Sequence, residues 1–367
     1  MTVIELPTII PPLVTATLPG IGGRIRERDE DFAVDEIAAY EPSGEGEHVW
    51  AWIEKRDLTT PTAAARLAER AGVSARDVGW AGMKDRHALT RQWLSLPPPT
   101  RPESIEGLDE GGLRVLRVTR HKNKLKTGHL HGNRFALVVR GLADPVAAAA
   151  RARDILAALA AGSPNWYAEQ RFGRDGDNAE RGLALVRARG KGPGAPRERR
   201  FMVSALQSYF FNHWLAERIK DGLLADVLVG DLLQKRGSGG MFASTDPDVD
   251  RPRVAAGEIV PTGPMFGAAM RGPPDGSPAH AREAAILDAF SLGPADFQPL
   301  RAIAEGTRRH ATIIPGAPAV EVATDAGDAT GAGDAIRVTF SLPAGAYATA
   351  VMREIQKLGE TESAPWT

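Results

Sequence analysis

Apolar and polar positions alternate from Phe32 to Ile37 and again through His48, Val49, Trp50, Ala51, Trp52 and Ile53. That is the period-two pattern of strands with one buried face. Val78 to Ala81, Gln92 to Leu96, Leu113 to Val118 and Phe135 to Val139 predict four further short strands. Thr60 followed by Pro61 predicts a helix start, because a hydroxyl can cap free amides and a first-turn proline loses no bond it needs. An Ala-rich helix is expected from there to about Ala71, and a second, amphipathic one from Asp144 to Ala161. Strands with interspersed helices, but no regular βαβ alternation, predict an α+β fold with a mixed or antiparallel sheet.

The character changes after Gly162. Helical patterns dominate from Asn178 to Ala188 and from Arg200 to Lys220, separated by the flexible run Lys191 to Pro196. A Gly/Pro-rich stretch spans Gly263 to Pro278. Ala335 to Leu342 returns to strand alternation, and a helix over about Ala346 to Leu358 follows. The expected organisation is a sheet domain built from residues 1–162 and 313–367, into which a mainly helical α/β domain, residues 163–312, is inserted.

The 367 residues exceed one ordinary domain, and 43% hydrophobic with 25% charged residues is the composition of a soluble globular chain. There is no cysteine, which excludes disulfides, thiolate metal sites and a cysteine nucleophile. The opening segment lacks a basic leader and is interrupted by Pro7, Pro11, Pro12 and Pro19. It reads as neither signal peptide nor membrane span, so a cytoplasmic location is expected. A net charge of -1 argues against indiscriminate coating of nucleic acid and leaves local basic faces to consider.

The densest chemistry lies in Gly82, Met83, Lys84, Asp85, Arg86, His87, Ala88, Leu89, Thr90, Arg91, Gln92 and Trp93, one carboxylate among three certain cations. A positioned carboxylate can act as nucleophile or base. The charge pattern alone fits equally a solvated loop in which Asp85 pairs with Lys84 or Arg86.

This segment resembles the signature of TruD-type pseudouridine synthases, in which a Gly-x-Lys-Asp aspartate precedes Thr-x-Gln-Trp. Glu41 to Trp50, His131 to Arg140, Asn165 to Asn178 and Leu342 to Thr349 look like further segments of that family, in family order, so the resemblance covers nearly the whole chain. It implies a pseudouridine-synthase catalytic domain carrying an inserted TruD domain. The implied activity is isomerisation of an in-chain uridine of tRNA, position thirteen in the family's best-known member. By the same resemblance Asp85 matches the catalytic aspartate, Phe32, Phe135 and Tyr347 match aromatics that contact the target nucleotide, and Asn133 matches a polar pocket residue. Read without the family, Phe32 and Phe135 are equally core residues of strands. Arg26 stands where the family usually has lysine, and Tyr347 where it often has phenylalanine.

The stretch Arg114 to Arg134 holds Arg114, Arg117, Arg120, Lys122, Lys124, Lys126 and Arg134 without an acid, which makes Lys122, Lys124 and Lys126 candidate phosphate contacts beside Lys84 and Arg86. Arg171 belongs to a second basic region in the insert. A solvated loop is the competing reading of such a run. No metal is expected at His129 and His131, since no carboxylate lies close in sequence to complete a site. The resemblance implies no cofactor and no nucleotide. Asp328 to Asp334 resembles the Gly-Ala-Gly-Asp signature of ribokinase-like sugar kinases, but a strand pattern follows it where an anion-binding helix start would be needed. It is expected to be a loop before a strand. A catalytically dead RNA-binding module would keep the basic stretches without needing Asp85.

Overall fold

The computed structural model describes residues 6–173, 175–323 and 334–358. The first part of the chain forms β1 (Phe32–Ala38), β2 (His48–Lys55), α1 (Thr60–Ala71), β3 (Gly79–Trp80), β4 (Leu89–Leu96), β5 (Asp109–Glu110), β6 (Leu113–His121), β7 (Leu130–Val139) and α2 (Pro145–Leu159). Then come β8 (Ser163–Pro164), α3 (Asn178–Arg187), α4 (Pro196–Lys220), β9 (Leu232–Lys235), β10 (Met241–Ala243), α5 (Pro247–Ala255), β11 (Ile259–Met265), α6 (Pro278–Asp288), β12 (Thr307–His310) and β13 (Thr312–Ile313). The last elements are β14 (Gly316–Ala323), β15 (Ala335–Pro343) and α7 (Ala348–Gln356).

One sheet joins strands from before residue 140 to strands from after residue 315, in the order β14-β15-β7-β1-β4-β2-β6-β5, with β3 on β4. β1 and β4 run parallel; the other pairs are antiparallel. Their alternation works as the sequence predicts. Val49, Ala51 and Ile53 of β2 are fully buried with Leu67 of α1, while Phe135 and Leu137 of β7 are buried with Ile155 of α2 and Val351 of α7. Each of these side chains larger than alanine contributes about 1.5–3 kcal/mol of burial. Where β7 meets β15 a Cβ at Gly132 would stand 2.1 Å from the Leu342 carbonyl oxygen, so only glycine permits that approach.

The intervening stretch makes its own four-stranded sheet, β10-β9-β11-β12, against α4. Val203, Leu206, Phe210, Phe211 and Leu215 line the buried side of that helix in a core shared with Leu183, Phe266 and Phe297. Leu6 and Ala350 join this core, and Tyr209 donates from its hydroxyl to the Pro7 carbonyl at 2.8 Å. Leu6 and Ile9 thus pack with the α4 core, whereas Val14 and Thr15 bond Glu354 of α7 and Leu18, Ile21 and Ile25 pack with the large sheet. No helix among the described residues is long and apolar enough to cross a membrane.

Several boundaries differ from expectation, among them the starts of β4 at Leu89 and of β7 at Leu130, ahead of Gln92 and Phe135. The cap of α1 is Thr59, whose side chain accepts from Thr62 N, so Thr60 is already helical. α4 begins at Pro196 inside the glycine-rich run, because a first-turn proline is pre-set for a helix. Residues 328–333 of the Gly-Ala-Gly-Asp segment lie outside the described residues. Asp334 accepts from Gly141 N at 3.2 Å just before β15.

Candidate active site

Strand register sets the floor of the site. Lys55 of β2 stands opposite Thr90 of β4, Thr90 opposite Val34 of β1, Val34 opposite Phe135 of β7, and Phe135 opposite Phe340 of β15. Residues in register share a face, so these five form one row across the sheet. Phe32, two residues from Val34, and Glu36, two beyond it, lie on that same face. Asn133 is opposite Glu36 on one side and Leu342 on the other.

The Gly82–Asp85 loop is hung from this face by neighbouring side chains. Gln92 donates from Nε2 to the Gly82 carbonyl at 3.0 Å and accepts from the Thr60 hydroxyl at 2.9 Å. Thr60 in turn accepts from Lys84 N at 3.0 Å. Lys55, 0% exposed, donates from Nζ to the carbonyl oxygens of Asp85, at 2.6 Å, and Lys84, at 3.4 Å. Burial pushes its pKa down to about 8, with the Asp85 charge opposing the fall. Lys84 turns inward to Glu36 at 2.7 Å, whose other oxygen accepts from Trp93 N. Burial pushes Glu36 upward while Lys84 opposes it.

Thus held, the Asp85 carboxylate stays 42% exposed and meets one cation, Arg26, at 3.1 Å. Arg26 adopts a left-handed backbone, φ 62°, and its Cζ stands 4.0 Å from the centre of the Phe32 ring. Burial lowers its pKa and Asp85 restores part of the loss. Phe32 meets Phe135 edge to face at 6.3 Å, and Phe135 meets Phe340 at 5.7 Å. The Asn133 side-chain oxygen is buried without a hydrogen-bond partner, an acceptor suited to an incoming N–H.

Tyr347, at the start of α7, meets Tyr167 edge to face at 5.9 Å. Burial raises the pKa of its hydroxyl; the nearby cations Arg171 and Arg309 oppose this, and Tyr167 and Asp85 add to it. The Arg309 Cζ stands 3.9 Å from the Tyr167 ring centre. Its Nη2 donates to Asn165 Oδ1 at 2.6 Å and to the Gly345 carbonyl at 3.1 Å, tying β12 to the turn before Tyr347. The result is a carboxylate open to solvent, paired with an arginine that covers the Phe32 ring, with Phe32 and Phe135 themselves buried and an unsatisfied amide oxygen on the same floor.

Nearly the whole chain matches the family described as tRNA pseudouridine synthase D (TruD), over residues 12–191 and 195–355. The chain belongs to the TruD family. It is 48% identical over 353 residues to a tRNA pseudouridine synthase D of Anaeromyxobacter dehalogenans, covering 94% of this chain and 96% of that relative. It is 39% identical over 362 residues to that of Thermus thermophilus, covering 96% of each. A solved TruD structure from Methanosarcina mazei superposes with a TM-score of 0.74 at 22% identity, covering 96% of this chain and 97% of that one, a likeness of fold.

Of the residues that the TruD resemblance singled out, Asp85, Arg26, Phe32 and Phe135 are linked by direct contacts. Two readings of the Lys84–Arg86 segment meet a different geometry. Lys84 is 9% exposed and committed to Glu36, because its position between Thr60 and β1 points it inward. Asp85 pairs with neither sequence neighbour, since Arg86 turns out to Asp57 at 2.8 Å. Arg86 itself remains exposed. Arg171 donates to Ser204 and Ser208 of α4 and lies 5.4 Å from the Tyr167 ring centre, so part of its fork is engaged. Lys122 is exposed but pairs with Glu45 at 2.7 Å; Lys124 is half-buried and Lys126 exposed. Lys55, Thr60, Gln92, Tyr167 and Arg309, which contact the Asp85 loop or surround Tyr347, were not singled out as site residues by sequence reasoning. Gln92 sat inside the matched motif, and Tyr167 inside a matched segment, without being assigned a place.

Proposed function

We propose that the protein isomerises a uridine within tRNA to pseudouridine, with Asp85 as the reacting carboxylate, the uridine at position thirteen being the expected target. The observation that carries this reading is the exposed Asp85 carboxylate, paired with Arg26, whose guanidinium stands over Phe32. The reaction breaks N1–C1′, turns the uracil and joins C5 to C1′; C5 gives up a proton and N1 gains one. Asp85 either attacks covalently or removes a sugar proton to give a glycal-like intermediate. Aromatic faces hold the detached base while it turns, and Asn133 Oδ1 offers an acceptor for a uracil N–H. The target must leave its stack to reach these atoms.

The division of labour follows the two cores. Residues 1–162 and 313–367 supply the reacting side chains, and residues 163–312 a second wall reaching the site through Tyr167, Arg171 and Arg309. Lys122, Lys124 and Lys126, with Arg86, hold RNA phosphates from the sheet side. Isomerisation is redox-neutral and releases no group, so the reading needs neither cofactor nor metal. The test is incubation of the protein with a tRNA transcript in EDTA and monovalent salt, without nucleotide, followed by nucleoside analysis. Pseudouridine at one uridine is the expected result; none, or activity lost on chelation, would count against the reading.

A further inference from the structure

We propose that Lys55 is a positioning residue for this reaction, its ammonium fixing the backbone of the Asp85 loop from beneath and setting positive charge behind the carboxylate. This rests on the reading of Asp85 as the reacting group.

Among the described residues, four other deeply buried cations have carboxylates, whereas Arg309, like Lys55, is held by neutral acceptors, Asn165 and the Gly345 carbonyl. Lys84 has Glu36, Arg140 has Asp31, Arg218 has Asp231 and Arg308 has Glu283. Lys55 is fully buried, yet its Nζ makes hydrogen bonds only to the main-chain carbonyls of Lys84 and Asp85. A buried ammonium without an ion pair is destabilising relative to an apolar chain of its length, so packing gives no reason for a charge there. The loop does. Gln92 and Thr60, both neutral, hold Gly82 and Lys84, but Lys55 alone among these three holds residue 85 itself. Fixing that carbonyl restrains the direction in which the side chain leaves the backbone to reach Arg26. Arg26 therefore orients the carboxylate from its tip and Lys55 from its root.

The test uses the full chain with Lys55→Met, which keeps length and loses both charge and donor, and Lys55→Gln, which keeps a donor without charge. Single-turnover rate, tRNA Kd and Tm are measured for each. For Lys55→Met the expected result is an unchanged or higher Tm, a Kd within about threefold, and a rate lowered roughly 100-fold, the scale of a small misplacement of a reacting group. Lys55→Gln is expected to recover about tenfold of that loss. A Met variant with a rate near wild type overturns the proposal. So does a loss of rate that follows a loss of folding in both variants, which makes Lys55 a folding residue. If Asp85→Asn keeps turnover, the underlying reading fails; if Asp85→Asn is dead while Lys55→Met is active, only this inference fails.

Discussion

Arg26 Nη2 stands 3.1 Å from Asp85 Oδ2 across 59 residues of sequence. The Arg26 Cζ stands 4.0 Å from the centre of the Phe32 ring, so charge and ring are positioned together. Replacing Arg26 by Met removes a charge-assisted hydrogen bond of about 1.5–3 kcal/mol, and turnover is expected to fall roughly 10- to 100-fold. Arg26→Lys keeps the charge without the planar fork and is expected to lose less than Met. Equal losses in both variants would show that the fork over Phe32, not the charge, is what matters.

Asp85→Asn nearly preserves size and removes the negative charge that either mechanism requires. Turnover should vanish while tRNA affinity persists or rises slightly, since the phosphates are held by cations elsewhere. Conversion near the wild-type rate by a folded variant would mean that another group reacts.

The sequence displayed the floor of the site but not its supports. Phe32 and Phe135 were legible because strand alternation and a family motif coincide there, and the observed β1–β7 pairing puts them on one face. The Asp85 loop could be located, but its partner Arg26 came into view only through the family position, as a contact to Asp85 or phosphate, and not from local charge. Local charge suggested Lys84 or Arg86, whereas the pair that forms, Arg26 with Asp85, depends on β1 lying beside β4. Lys55 continues the buried alternation of Val49, Ala51 and Ile53, but a lysine beyond the apolar run gives no sign in the sequence of what its ammonium meets. Arg309 is farther still from any motif, reaching Asn165 across 144 residues.

Replacing Lys122, Lys124 and Lys126 together should weaken tRNA binding and flatten its dependence on salt. Lys122 already spends part of its charge on Glu45, so the slope of log K against log salt is expected to drop by about 1–2, less than three full phosphate contacts give. Filter binding at several salt concentrations measures it. An unchanged slope would leave this stretch a solvated loop.

Acid should destabilise the fold through His310. Burial pushes its pKa down to about 4 from 6.5, with Arg236 and Arg309 adding to the fall, and Nε2 stands 2.7 Å from Gln234 Oε1. The unfolded chain therefore binds this proton first as pH falls. Stability from this group is intact above about pH 6.5 and is lost down to about pH 4, by an order of 1–3 kcal/mol. Denaturant melts at pH 7 and pH 5 should show the loss, and His310→Gln should shrink the difference. A variant with the same pH slope as wild type would exonerate His310.

Tyr347 and Arg309 give the sharpest test of how the insert serves the site. The Tyr347 ring is braced by Tyr167, and the turn before it is held by Arg309 through the Gly345 carbonyl. If the ring stacks on the turning base, its face matters and its hydroxyl does not, so Tyr347→Phe should retain turnover within about threefold. Tyr347→Leu keeps apolar bulk without a π face. Base–aromatic stacking is worth about 1–3 kcal/mol, so this variant should lose roughly 5- to 150-fold in rate while binding tRNA normally. Arg309→Met removes the tie without touching the ring and should lower rate by less than Tyr347→Leu does, while also lowering Tm, because the Asn165 oxygens lose their charged donor. In the double variant the two rate losses should not add, since Arg309 acts here only through where it holds Tyr347. Strictly additive losses would mean that Arg309 meets the RNA by itself.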